Sequence, residues 1–116
     1  MAEKTIFQRI CDHEIPADIV HEDDVCVCFR DINPLAPVHL LLVPRKPIAR
    51  LAAATPEDAA ILGHLMAAIS EIAAKEGFAE DGFRLIANSG PHAGEEVPHL
   101  HFHILAGKPL GPMLGK

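Results

Sequence analysis

Three histidines stand two residues apart in the stretch VPHLHFHILAG, residues 97–107. They are His99, His101 and His103, interleaved with Leu100, Phe102 and Ile104. An imidazole with its ordinary pKa near ~6.5 is mostly neutral at pH 7, offering a lone pair on one nitrogen and a proton on the other. Such groups ligate metals, attack phosphorus or form hydrogen bonds in a core. On an extended strand, alternate residues share a face at intervals of about 6.6 Å, which sets His99 and His103 roughly 13 Å apart along the backbone. Nitrogens bound to one zinc ion lie only about 3.5 Å apart, so two neighbours can lean onto one metal, but three in a row need a sharp bend. A purely structural role is also poor, since three imidazoles on one face need polar partners if buried and gain little if exposed. Phosphoryl chemistry fits the spacing better. The middle ring attacks phosphorus while its neighbours flank the target and donate to the oxygens, and water then resolves a phospho-histidine intermediate. That scheme requires no metal.

The elements that must position these rings can be read on either side of them. TIFQRICDHEIP predicts a short helix, with Thr5 as N-cap and Ile6, Phe7, Ile10 and Cys11 on one stripe, ended by Pro16. DIVHED and VCVCFRDI read as two strands joined by an acidic turn at residues 22–24, and VHLLLVP, apolar on both faces, as an inner strand. Thr55, Pro56, Glu57 and Asp58 open a long helix over residues 56–76 whose stripe is Leu62, Leu65, Met66, Ile69, Ile72 and Ala73, stopped by Gly77. GFRLIANSG adds a fourth strand, and the histidine strand completes a five-stranded, mainly antiparallel sheet. The class is α+β, as a single domain over residues 1–116.

Composition narrows the function. A formal net charge of -6 offers no basic patch for generic nucleic-acid binding. No run approaches the ~20 apolar residues of a membrane span, and no apolar stretch near the N-terminus reads as a signal peptide. Three cysteines, Cys11, Cys26 and Cys28, form an odd set without the paired C-x₂₋₄-C spacing of a zinc finger, which points to a reducing, cytoplasmic setting and buried thiols.

HLHFHIL matches the signature of the histidine triad (HIT) superfamily. TIFQRI, EIPADIV, FRDINPLAPVHLLLVPRK, FRLIANSG and HAGEEVPHLHFHILAGKPLGPM resemble its Hint branch, from residue 5 to about residue 113, and the tail GKPLGPM is most similar to bacterial members. The resemblance implies a HIT fold and a homodimer that acts as a purine nucleoside phosphoramidase. Such an enzyme cleaves the P–N bond of adenosine or guanosine 5′-phosphoramidates and hydrolyses aminoacyl adenylates, without a cofactor or metal. It also implies roles. His101 would be the nucleophile, with His99 and His103 orienting it and contacting the phosphate. Asp31 would accept the ribose hydroxyls, Asn88 would serve the phosphate or ribose, and His39 would sit beside the triad. Ile6, Phe7, Ile10, Phe29 and Ile32 would sandwich the purine, and Glu96 and Val97 would complete the nucleotide-binding set. Without the resemblance these apolar residues read as core, Asp31 as a turn carboxylate and His39 as a hydrogen-bonded core histidine. His13, His21, His64 and His92 are expected on the surface, His92 within reach of a phosphate.

Three positions depart from the family pattern. Glu96 stands where many relatives carry a small hydroxyl residue. Beside a phosphate its carboxylate must point away, carry a proton or pair with a cation on the leaving amine, and the last is the expectation. Pro98 cannot donate to a ladder and should mark the first residue of the strand or an edge. Ala106-Gly107 replaces a double glycine. Other readings are an AMP-binding regulatory module, a dinucleoside polyphosphate hydrolase of the same superfamily, and a metal-binding protein.

Overall fold

The structure, a computed structural model, describes residues 3–115. Five antiparallel strands, β1 (Ile19–Glu22), β2 (Cys26–Arg30), β3 (Val38–Pro44), β4 (Phe83–Ile86) and β5 (Phe102–Ala106), form one sheet in the order β1-β2-β3-β5-β4. A short helix α1 (Ile6–Cys11) covers one face and a long helix α2 (Ala59–Glu76) covers the other. The α+β expectation holds, and β3 is buried over residues 39–44 as its continuous apolar run predicts.

Side chains alternate across β2 and β3. Cys26, Cys28, Leu40 and Leu42 pack with Leu65, Ile69 and Ile72 of α2, while Val27, Phe29, Leu41 and Val43 pack with Phe7, Ile10 and Cys11 of α1. Each fully buried aliphatic side chain contributes about 1.5–3 kcal/mol, so both helices are held by the sheet rather than by their own propensity. Met66 points outward at 42% exposure, which narrows the predicted stripe of α2. Gly77 ends α2 in the left-handed conformation at φ 86°, donating to the Ala73 carbonyl. At the other end, residues 56–58 form a 3₁₀ turn in which the Asp58 carboxylate accepts from the Thr55 backbone N–H at 2.9 Å.

Two boundaries differ from expectation. Helix α1 stops at Cys11 rather than at Pro16, because His13 turns the chain with a positive φ of 59°. The histidine strand begins only at Phe102. The backbone bends over residues 97–99, where the His99 N–H donates to the Val97 carbonyl at 2.8 Å and Leu100 N–H is drawn off to the Ile48 carbonyl at 2.7 Å. Pro98 lies inside this bend, ahead of the strand and not at its first residue.

Candidate active site

His103 pairs with Leu41 in the sheet, on the face that α1 only partly covers. Beside it two cavities adjoin. One, of about 110 Å³, is lined by His101, His103, Asn88, Gly94, Glu96 and Val97 together with Phe7, Asp31 and Leu41. The other, of about 280 Å³, is lined by Ile6, Ile10, Ile15, Pro16, Ala17, Phe29, Arg30 and Ile32, and by the same Phe7, Asp31 and Leu41. A polar pocket with two imidazoles therefore opens onto an apolar slot, with a carboxylate at the boundary.

Hydrogen-bond partners assign the tautomer of each ring. His101 places Nδ1 at 2.7 Å from the His99 carbonyl, which can only accept, so Nδ1 carries the proton and Nε2 holds the lone pair of the neutral ring. His39 accepts the Leu35 backbone N–H on Nδ1 at 3.1 Å, so its proton lies on Nε2 and is donated to His103 Nδ1 at 2.9 Å. His103 is left with an N–H on Nε2. His99 donates from Nε2 to the Pro44 carbonyl at 2.8 Å, and its Nδ1 meets the Thr5 hydroxyl at 3.3 Å. That hydroxyl already accepts the Gln8 N–H at 3.1 Å as the N-cap of α1, so its own proton is free for the imidazole. Burial holds His39, His99 and His103 below the ordinary histidine pKa, and the repulsion between imidazolium charges within the cluster adds to it on His99 and His103. These three rings are neutral at pH 7.

The triad is thus divided. His101 stands edge-on to Phe7, with ring centroids 4.8 Å apart. His99 is 1% exposed, has both nitrogens engaged and lies outside the cavity wall, whereas His101 and His103 line it. His39 also lies behind the wall, at 4% exposure, and reaches the cavity only through its hydrogen bond to His103. Asp31 fixes its own turn by accepting the Asn33 N–H on Oδ1 at 2.8 Å, while Oδ2 lies 3.5 Å from His39 Nε2. All five expected slot residues line the apolar cavity, Ile32 at its rim with 90% exposure. His92 sits exposed in a 3₁₀ turn, Pro91–Ala93, and lines neither cavity.

Several residues are not among the expected site residues, although some lie in stretches that carry the resemblance. Ile15, Pro16 and Ala17 close the slot, and Gly94 lines the polar cavity. Arg50 grips Glu95 through two hydrogen bonds of 2.6 and 2.7 Å, and the Glu95 carboxylate also accepts the Gly90 N–H at 2.8 Å. Those contacts, led by Arg50, hold the Glu95 pKa down to about 2 and close the loop that carries Glu96 and Val97. Among the described residues, two groups of side chains have metal-ligand chemistry. Asp31, His39 and His103 form one, where an ion would displace the proton that His39 gives His103, and His21, Asp23 and Cys26 form the other.

Residues 12–110 match the HIT domain family. The chain belongs to the HIT family. It is 57% identical over 110 residues to an uncharacterised HIT-like protein of Synechocystis, covering 95% of this chain and 96% of the relative. It is 49% identical over 114 residues to the purine nucleoside phosphoramidase of Escherichia coli, covering 98% and 96%. Among solved structures, a histidine triad protein from Clostridium difficile superposes with a TM-score of 0.92 at 43% identity, covering 97% of this chain and 98% of the other. A HIT family hydrolase from Legionella pneumophila gives a TM-score of 0.93 at 38% identity, covering 97% and 100%. HIT architecture accounts for the sheet order and for the placement of both helices. Among the described residues, no helix is long and apolar enough to cross a membrane.

Proposed function

We propose that this HIT protein is a purine nucleoside phosphoramidase, hydrolysing the P–N bond of adenosine or guanosine 5′-phosphoramidates and also aminoacyl adenylates. The observation that carries this is the continuity of the two cavities through Phe7, Asp31 and Leu41. A nucleoside 5′-phosphate has the same order of parts: an apolar base, a diol and an anion. The purine lies between Phe7, Phe29 and the isoleucines, the ribose hydroxyls donate to Asp31, and phosphorus sits before His101. The name of the Escherichia coli relative supports the same substrate class.

In this mechanism His101 Nε2 attacks phosphorus, and the nitrogen of the P–N bond takes up a proton from solvent and leaves as the amine, giving a nucleotidyl-His101 intermediate. The carbonyl of His99, 2.7 Å from Nδ1, stabilises the positive charge the ring gains. His103 donates its Nε2–H to a phosphoryl oxygen, and the Asn88 amide, on the same wall, adds a second donor. The oxygen of a water molecule then bonds to phosphorus as the P–Nε2 bond breaks, one proton of the water passes to solvent, and the nucleoside monophosphate leaves with the ring restored. Glu96, exposed on the cavity wall, faces the departing group and favours amines that carry a cation, such as lysine derivatives. The active form is a homodimer.

Hydrolysis of a fluorogenic adenosine 5′-phosphoramidate by the wild type and by His101→Ala, with EDTA present, tests the proposal. Activity that survives EDTA and disappears in the variant supports it, as does a protein mass increased by one nucleotidyl group in acid-quenched wild type. AMP binding without turnover in the wild type refutes it. Light scattering decides the dimer.

A further inference from the structure

On the α2 side of the sheet, where the β1–β2 hairpin meets the helix, four side chains of metal-ligand type converge. His21 lies on β1, Asp23 in the turn, Cys26 at the start of β2 and His64 on α2. The ligand atoms of His21, Asp23 and Cys26 all lie within 4.8 Å of one another. His21 Nε2 and His64 Nε2 each stand 2.8 Å from Asp23 Oδ2, and Cys26 Sγ stands 3.6 Å from the same oxygen. Three hydrogen-bond donors thus crowd one carboxylate oxygen that offers about two lone pairs. A cation among them would turn all three from competing donors into ligands.

The carboxylate is also held in place by the backbone. Its Oδ1 accepts the N–H groups of Val25 at 2.8 Å and Cys26 at 2.9 Å, and Arg45 clamps the Asp23 carbonyl at 2.8 Å. Cys26 is fully buried, whereas His64 remains 40% exposed and leaves a way in from solvent. Donor atoms around a tetrahedral zinc ion lie about 3.3–3.8 Å apart, given bonds of about 2.0–2.3 Å, so His21, Asp23 and Cys26 need only small side-chain shifts, and His64, already beside Asp23, must swing toward the other two to complete the set. A set of two imidazoles, one thiolate and one carboxylate suits Zn²⁺ in softness and number, and suits Mg²⁺ or Ca²⁺ poorly.

We propose that His21, Asp23, Cys26 and His64 form a zinc site that fastens the β1–β2 hairpin to α2. Binding forms a Zn–S bond and releases the thiol proton to solvent. The carboxylate enters as its anion, and each imidazole turns its Nε2 lone pair to the ion by carrying its proton on Nδ1. One proton leaves per ion, so affinity falls as pH falls. The site is separate from the triad cavity, and Cys11 takes no part.

Titration of metal-free protein with Co²⁺ provides the test, because a thiolate ligand produces a near-ultraviolet charge-transfer band that no ligand of the Asp31–His39–His103 group can supply. The expected result is one Co²⁺ per chain, with that band and tetrahedral visible bands, displaced by Zn²⁺. Cys26→Ser abolishes the charge-transfer band. His64→Ala, at a half-exposed helix position that folding tolerates, weakens Co²⁺ at least tenfold even if the buried Cys26→Ser variant fails to fold, and His103→Ala leaves the band in place. Absence of a charge-transfer band at saturating Co²⁺ overturns the proposal. So does a band unchanged by His64→Ala and His21→Ala, or metal binding that is lost only in His103→Ala.

Discussion

Replacing His39 by leucine removes the one group that decides which nitrogen of His103 carries the proton. Leucine fills much of the same buried space, and the Leu35 N–H that His39 accepted belongs to an exposed residue that water can reach. His103 Nδ1 is then left facing an apolar side chain, a loss of about 1–3 kcal/mol for a buried polar atom. With the bias gone, Nε2 no longer holds the N–H that the proposed mechanism gives to a phosphoryl oxygen. A hydrogen bond to a charged partner is worth about 1.5–3 kcal/mol, and if it acts mainly as charge develops, kcat falls by roughly 10- to 150-fold while KM changes little. Single-turnover hydrolysis of an adenosine phosphoramidate, on protein shown by circular dichroism and urea denaturation to be folded, measures this. His39→Gln should recover part of the loss, because its amide can still donate to Nδ1. If the folded leucine variant keeps kcat within about threefold of wild type, the relay from His39 to His103 is not what prepares the site. If glutamine is as poor as leucine, packing rather than the donated proton is responsible.

Lowering the pH from about 7 toward about 5.5 should destabilise the fold through its buried histidines. His39, His99 and His103 are held below the ordinary histidine value chiefly by burial, so their contribution is complete above about pH 6.5. It then drains by at most about 1.4 kcal/mol per group per pH unit as the unfolded chain takes up protons, and equal urea midpoints at about pH 7 and about pH 5.5 would refute this. Gly107→Ala should cost on the order of 2–4 kcal/mol in urea denaturation, because φ is 101° and a new Cβ would sit 2.7 Å from Pro37 Cβ. Wild-type stability in that variant would show that the turn moves freely. Glu95→Gln should loosen the loop over residues 90–97 and raise KM more than it lowers kcat, and an unchanged KM would count against the Arg50–Glu95 clamp. Glu96→Ser should erase a preference for lysyl over aspartyl adenosine phosphoramidates, and a preference that survives sinks the assignment.

The parts of the fold set by long periodic patterns were legible in the sequence. Helix α2, the inner strand β3 and the antiparallel α+β class follow from apolar spacing and strong helix ends. The slot residues Ile6, Phe7, Ile10, Phe29 and Ile32 came from the family resemblance, since by pattern alone they are indistinguishable from core, and Phe7, Ile10 and Phe29 are core as well as wall. What stayed hidden depends on contacts far apart in the chain. Thr5 reads as a helix cap and is one, yet its proton serves His99, ninety-four residues away. His21 and His64 read as surface residues, and both turn toward Asp23 because the sheet brings the hairpin against α2. No local signal could have joined them.

The start of β5 carries a further consequence for the triad. Had the strand run through residues 99–103, the three rings would have shared one face in equivalent settings, and the His99 carbonyl would have been spent in the ladder. Pro98 has no N–H to give, and the chain bends over residues 97–99. The His99 ring is thereby sent behind the wall to Pro44 and Thr5. The carbonyl of the same residue is left outside the ladder and meets His101 Nδ1 at 2.7 Å. Without that acceptor, nothing in the site would hold the His101 proton on Nδ1 and keep the Nε2 lone pair toward the cavity. The late start of the strand is therefore what makes three identical residues unequal: one is buried behind the wall, one keeps a lone pair toward the cavity and one presents an N–H there.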